Sequence, residues 1–289
     1  MNQSIASRGR QALWLLLAGL VALTLSATAA TGARAAGYVA LGDSYASGPL
    51  IPNPVLPLGC LKSSNNYPHL AAPGIGLSFQ DVTCGGARTV HMTEPQNVDP
   101  DGPNPPQFNA LSTSTSVVSL TIGGNDIGFS EVAQSCIVIN PFSHPCLDKY
   151  NSGGVDQLKA RINATAPKVA AVLQGIKARS PSAKIYVVNY PAIFPETGFG
   201  CWPQMPIGFQ DVPYLRSTQK SLNAMLATQA AANGATLVNW YAASIGHDAC
   251  KGGSTRWVEP LVPGNSAAPI HPNKAGMVGG ANALLAAVK

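Results

Sequence analysis

Five apolar runs of strand length, Tyr38–Leu41, Leu77–Val82, Val117–Ile122, Lys184–Asn189 and Ala235–Trp240, are separated by stretches that read as helices. Strands alternating with helices build a parallel sheet covered on both faces, which makes this an α/β chain. Strands buried on both faces are apolar almost throughout, as these are. Between them, Val155–Arg179 places Val155, Leu158, Ile162, Val169, Val172, Leu173 and Ile176 at helical spacing, with Pro167 expected to break or kink it. Tyr214–Ala232 and Asn273–Val288 also read as helices.

Such a fold needs few charges, and only 11% of the 289 residues are charged, against about 25% in an ordinary globular chain. That composition excludes a disordered or coiled-coil protein. The net charge of +5 and the lack of any basic run exclude a nucleic-acid-binding stripe. Three Pro/Gly segments, Pro49–Cys60, Pro95–Pro106 and Pro191–Pro213, exceed the usual connection of about 4–6 residues and are expected to serve function. No repeat or linker divides the chain.

Residues 1–35 carry no acid; Arg8 and Arg10 precede an apolar run from Ala12 to Leu25, and small residues follow. This order is that of a secretory signal peptide. Ala27-Thr28-Ala29 and Ala33-Arg34-Ala35 are the competing cleavage signatures, the second lying just before the first strand. The apolar run is shorter than the ~20 residues of a spanning helix, so no stable membrane anchor is expected. The reading is a signal peptide over 1–35, one catalytic domain over 36–289, and a secreted, extracellular monomer. Removing 1–35 lowers the net charge from +5 to +2. Cys60, Cys84, Cys136, Cys146, Cys201 and Cys250 survive the cut, an even number suited to disulfides in an exported chain. Six cysteines allow 15 pairings, of which the sequential one is simplest.

In an open α/β sheet reactive groups gather beyond the carboxyl ends of the strands. Gly42-Asp43-Ser44-Tyr45 follows the first run, Cys84-Gly85-Gly86-Ala87 the second and Gly123-Gly124-Asn125-Asp126 the third. His271-Pro272-Asn273 stands before the last helix. These are the parts of an acyl-transfer site: Ser44 as nucleophile and His271 as its base. The N–H groups of Ser44 and Gly86 and the Asn125 amide would bind the oxyanion. Asp43 is read as structural, Asp126 as a cap or loop brace, and His247 with Asp248 as bracing the region of Cys250. The α/β-hydrolase elbow G-x-S-x-G, a zinc HExxH pair, a P-loop and GxGxxG are all missing. The mechanism calls for no metal or other cofactor.

These blocks resemble the SGNH (GDSL-type) hydrolase superfamily, and within it the secreted actinobacterial lipases and esterases. The resemblance rests on Val39–Tyr45, Cys84–Ala87, Leu120–Phe129, Gly246–Cys250 and His271–Asn273, with the six-cysteine layout. It implies a flavodoxin-like three-layer α/β/α fold around a five-stranded parallel sheet. It also implies catalytic Ser44 and His271, an oxyanion hole from Ser44, Gly86 and Asn125, and the disulfides Cys60–Cys84, Cys136–Cys146 and Cys201–Cys250.

One position departs from that pattern. The superfamily usually carries an aspartate three residues before the histidine, where this chain has Ala268. A Ser44–His271 dyad is therefore expected, with the Ala268 carbonyl, or failing that a neighbour's, holding the second ring nitrogen. Leu50-Ile51, Val55–Leu58, Ile193-Phe194 and Trp202–Pro206 are expected to line an acyl pocket, favouring acyl lipids as substrate. The alternatives are a carbohydrate acetylesterase and a non-catalytic secreted binding protein on the same scaffold.

Overall fold

The computed structural model describes residues 37–289; the segment 1–35, expected to be a signal peptide, lies outside the described residues. Five strands form one parallel sheet: β1 (Tyr38–Gly42), β2 (Phe79–Asp81), β3 (Val117–Thr121), β4 (Lys184–Val188) and β5 (Thr236–Val238). Their spatial order is 2-1-3-4-5, the flavodoxin-like arrangement. Successive side chains of a strand point to opposite faces, and the two cores follow that alternation. Val39 and Leu41 of β1, Val118 and Leu120 of β3, and Ile185 and Val187 of β4 enter one core. Tyr38, Ala40, Val117, Tyr186 and Val188 enter the other. Register keeps the faces matched, with Val39 opposite Val118 and Val118 opposite Ile185.

Helices α4 (Gln157–Arg179) and α5 (Asp211–Ala232) pack on the first face, α2 (Tyr67–Ile75) and α6 (Lys274–Val288) on the second. Each apolar stripe expected from spacing is buried, including Leu158, Ile162, Val169, Val172, Leu173 and Ile176 of α4. Pro167 lies inside α4 without ending it; the loss is one ladder bond, to the Asn163 carbonyl, because proline has no N–H. Val155 is exposed, and the helix starts two residues later, capped by the Asp156 carboxylate accepting from the Lys159 N–H. Helix α2 has no counterpart among the sequence expectations. Pro68 in its first turn and Pro73 within it mask the pattern, while Asn66 caps its start.

The six cysteines join as Cys60–Cys84, Cys136–Cys146 and Cys201–Cys250. Each loop closure restricts the unfolded chain and stabilises the fold by about 2–4 kcal/mol. The first bridge ties the Pro49–Cys60 loop to the turn after β2, where the Gly85 N–H also donates to the Cys60 carbonyl at 2.8 Å. The third ties the Pro191–Pro213 loop to the region after β5. Among the described residues no helix is long and apolar enough to cross a membrane.

Candidate active site

The order 2-1-3-4-5 reverses direction between β1 and β3, where a crevice opens beyond the strand ends. Gly42 closes β1 at φ +148°, and a Cβ there would stand 2.6 Å from the Thr121 carbonyl oxygen, so only glycine fits. Gln107, buried, grips it from both sides: the Gly42 N–H donates to Gln107 Oε1 at 2.8 Å, and Gln107 Nε2 donates to the Gly42 carbonyl at 2.9 Å. The chain then turns into a single-turn helix, α1 (Ser44–Ser47). Asp43 caps it by accepting from the Tyr45 N–H. Ser44 is thereby its first residue, half-buried in the crevice.

His271 Nε2 lies 2.8 Å from Ser44 Oγ. Its Nδ1 lies 2.8 Å from the carbonyl oxygen of Pro269. This corrects the expectation for Ala268. The Ala268 carbonyl accepts instead from the His271 backbone N–H at 3.1 Å, closing the turn that presents the ring. A carbonyl only accepts, so Nδ1 carries the proton and the neutral ring offers the Nε2 lone pair to the Ser44 hydroxyl. Burial pushes the His271 pKa down from 6.5, against a smaller upward pull from the Pro269 carbonyl. The ring therefore stays neutral to lower pH than an exposed imidazole.

The preceding Ile270 stands at φ +62°, a left-handed conformation that costs a β-branched residue about 1–3 kcal/mol. Three contacts hold it: burial of the side chain, the Tyr45 hydroxyl donating to its carbonyl at 2.7 Å, and its own N–H donating to the Glu259 carbonyl at 3.0 Å. The Tyr45 ring also packs on the His271 ring, 4.9 Å between centroids.

Glu259 anchors the whole segment. Its buried carboxylate pairs with Arg256 and accepts from the N–H groups of Gly264 and Asn265 and from the side-chain amides of Asn265 and Asn273. Burial alone would raise its pKa, but these donors outweigh it and bring the group down to about 2. Asn273 caps α6, so the same residue links Glu259 to the helix that follows His271.

Opposite Ser44 stand the other two expected elements. The Asn125 amide faces the crevice and donates to the Ala87 carbonyl at 2.9 Å. Gly86, one residue earlier, holds φ +74°; it flanks the crevice rather than lining it. Among the described residues no group accepts from the N–H of Ser44 or Gly86. Asp126 fastens the two turns together, accepting from the Thr89 N–H and hydroxyl, and is a loop brace as expected. Asp43 is structural in position: buried, it accepts from Tyr190 and from the Tyr45 N–H. Burial raises its pKa to about 7 against those two donors.

Tyr190, Gln107 and Glu259 escaped the sequence reading, whereas the Pro269 carbonyl is the neighbour of Ala268 that it held as the alternative. Only Tyr190 carried a signal there, as an aromatic residue just beyond β4. Its hydroxyl donates to Asp43 and accepts from the Gly124 N–H at 2.7 Å, spanning the serine and asparagine turns.

From Ser44 and His271 the crevice runs into a pocket of about 810 Å³, open mouth included. Its walls are Ile127, Phe129, Val132, Leu158, Ile193, Phe194, Ile207, Leu215 and Leu222. Of the loops expected to form it, only Ile193-Phe194 does so. Leu50, Leu56 and Leu58 are exposed, and Ile51 packs in the second core. The pocket is instead cut between the first-face helices and the segment after β3.

A model of the GDSL-like lipase/acylhydrolase family matches residues 40–278. The chain belongs to that family. As a family member it is a carboxylic ester hydrolase of the lipase and esterase kind, taking ester or lipid substrates. It is 38% identical to Lipase 2 of Streptomyces coelicolor, over 96% of this chain and 92% of that one. Among solved structures it is similar to phospholipase A1 from Streptomyces albidoflavus, with 30% identity and a TM-score of 0.71 over 87% of this chain and 99% of that one. It is also similar to the extracellular lipase of Streptomyces rimosus, with 27% identity and a TM-score of 0.73 over 86% and 98%. These two neighbours share the fold described above.

Proposed function

We infer that the protein is a secreted lipase or esterase that cleaves acyl esters through a Ser44 acyl-enzyme. The observation that carries this is the 2.8 Å bond between Ser44 Oγ and His271 Nε2 at the mouth of an apolar pocket. His271 takes the Ser44 proton as Oγ bonds to the acyl carbon. The carbonyl oxygen gains the negative charge and is held by the N–H groups of Ser44 and Gly86 and the Asn125 amide. As the tetrahedral species collapses, the ester C–O bond breaks and the leaving alcohol takes the proton from Nε2. Water, deprotonated by the same nitrogen, then releases the acid and restores Ser44.

The Pro269 carbonyl orients the ring in place of a carboxylate and supplies no full charge to the imidazolium. The aliphatic and aromatic walls favour a long acyl chain over an acetyl group, which supports a lipid over an acetylated sugar. Secretion, with residues 1–35 as signal and 36–289 as one domain, is supported by the charge and apolar order of that segment and by the three disulfides.

A serine-reactive fluorophosphonate, read by peptide mapping, should label Ser44, and p-nitrophenyl esters should be turned over faster as the acyl chain lengthens beyond acetyl. Labelling elsewhere, or activity confined to acetyl esters, would sink the reading. The acid limb of kcat/KM is a second check. Because burial lowers the His271 pKa, the midpoint of that limb should fall below 6.5, with activity rising as pH increases through it. A midpoint above 6.5 would contradict a buried neutral base.

A further inference from the structure

Two loops outside the reacting centre share an unusual property. Residues 132–147 and 197–210 contain no Asp, Glu, Lys or Arg. The first begins within the last turn of the helix α3 (Phe129–Ser135) and is closed by Cys136–Cys146; the second is held at Cys201 by its bridge to Cys250. They lie against each other. Ile137 bridges Ile207, the Val138 N–H donates to the Pro206 carbonyl at 2.8 Å, and the Phe209 N–H donates to the Pro141 carbonyl at 2.7 Å. The Phe209 ring meets Phe142 edge-on at 5.5 Å and Phe199 at 6.4 Å.

The result is one apolar surface facing water. Ile139 is 95% exposed, Phe142 74% and Phe199 62%. Side chains of this kind at this exposure, grouped and uncharged, mark an interaction site rather than scattered surface residues. The surface is continuous with the pocket, because Val132 at the root of the first loop and Ile207 in the second both line it.

We propose that this two-loop surface docks the enzyme on an uncharged or zwitterionic lipid aggregate, from which an acyl chain passes into the pocket. The proposal rests on the acyl-ester reading above. Continuity decides the occupant. Ile207 pairs with Ile137 in the surface and also lines the pocket, so an acyl chain leaving an aggregate docked here meets apolar side chains on its way toward Ser44. The lack of lysine and arginine in both loops decides the lipid charge, since attraction to anionic headgroups needs such residues. The bridges at Cys136–Cys146 and Cys201–Cys250 keep the loops formed before docking, so little ordering cost opposes it.

The test uses protein harvested from culture medium and phosphatidylcholine vesicles, with Ser44→Ala present in every chain so that the vesicles survive. Co-sedimentation should show Ile139→Ser/Phe142→Ser, and separately Phe199→Ser, partitioning about 10-fold or more less than the parent. Raising the salt should change the parent's partitioning little. With Ser44 intact, both variants should hydrolyse a short soluble ester at the parental rate, which shows that the fold and the reacting centre are sound. Unchanged partitioning in both variants would overturn the proposal, as would partitioning that collapses with salt. A dimer in sedimentation velocity that the substitutions dissolve, with vesicle partitioning unaltered, would assign the surface to a second copy instead. A parent that turns over no soluble ester would overturn the acyl-ester reading while leaving the partitioning result to stand by itself.

Discussion

Ester turnover is expected to fall by about 10⁴-fold or more when Ser44 is replaced by alanine. The loss is large because the acyl-enzyme route disappears, not merely one contact. On the proposed mechanism what remains is direct attack of water on an ester held by the backbone N–H groups of residues 44 and 86 and the Asn125 amide, unaided by a covalent intermediate. Ser44 begins α1 and its hydroxyl bonds only to His271 among the described residues. The cap of that helix belongs to Asp43 and the strand end to Gln107. Melting temperature should therefore stay within a few degrees of the parent while activity and fluorophosphonate labelling vanish. Measuring kcat/KM on a soluble ester alongside thermal unfolding separates the two. Retained turnover in folded protein would remove Ser44 from the reaction.

The second large effect is expected at His271. In His271→Gln the side chain can still hydrogen-bond to Ser44 but cannot take its proton, and turnover should drop by about 10⁴-fold or more. The pH profile makes this more than a question of packing. The acid limb expected of the parent arises from protonation of the ring, so it should be missing from whatever activity the variant retains. A residual activity that kept the parental limb would assign the titration, and the base, to another group. Because Nδ1 bonds to the Pro269 carbonyl and not to a carboxylate, His271 has, among the described residues, no side-chain acid partner to inherit its role.

Much of this site was legible in the residues because it sits where parallel strands end. Ser44, Asn125 and the turn at Gly86 each follow a strand, and a strand end is marked by an apolar run giving way to glycine. Those positions depend on local backbone chemistry: Gly42 and Gly86 hold φ values that favour glycine. The reading went astray where contacts join distant parts of the chain. It favoured Ala268 over a neighbour as the ring partner because the resemblance implies an acid at that position, whereas the left-handed Ile270, pinned by Tyr45 and Glu259, turns the ring toward Pro269. It placed the acyl pocket in proline-rich loops because they were long and apolar. The packed chain builds most of the pocket from Leu158 of α4, Leu215 and Leu222 of α5 and the residues following β3.

The sequence by itself determined the parallel α/β sheet, the serine and asparagine at its strand ends, the histidine before its last helix, and the lack of an acid near His271. Each of these follows from periodicity, local backbone preference or simple composition. Only the tertiary structure decided which carbonyl orients the ring, that Tyr190 joins the serine and asparagine turns, that Glu259 anchors the histidine segment, and where the acyl chain would lie. Those outcomes depend on groups far apart in the chain meeting at hydrogen-bond distance, such as Tyr45 with Ile270 or Tyr190 with Asp43. No local pattern encodes such a meeting; the packing of helices on the two sheet faces brings it about.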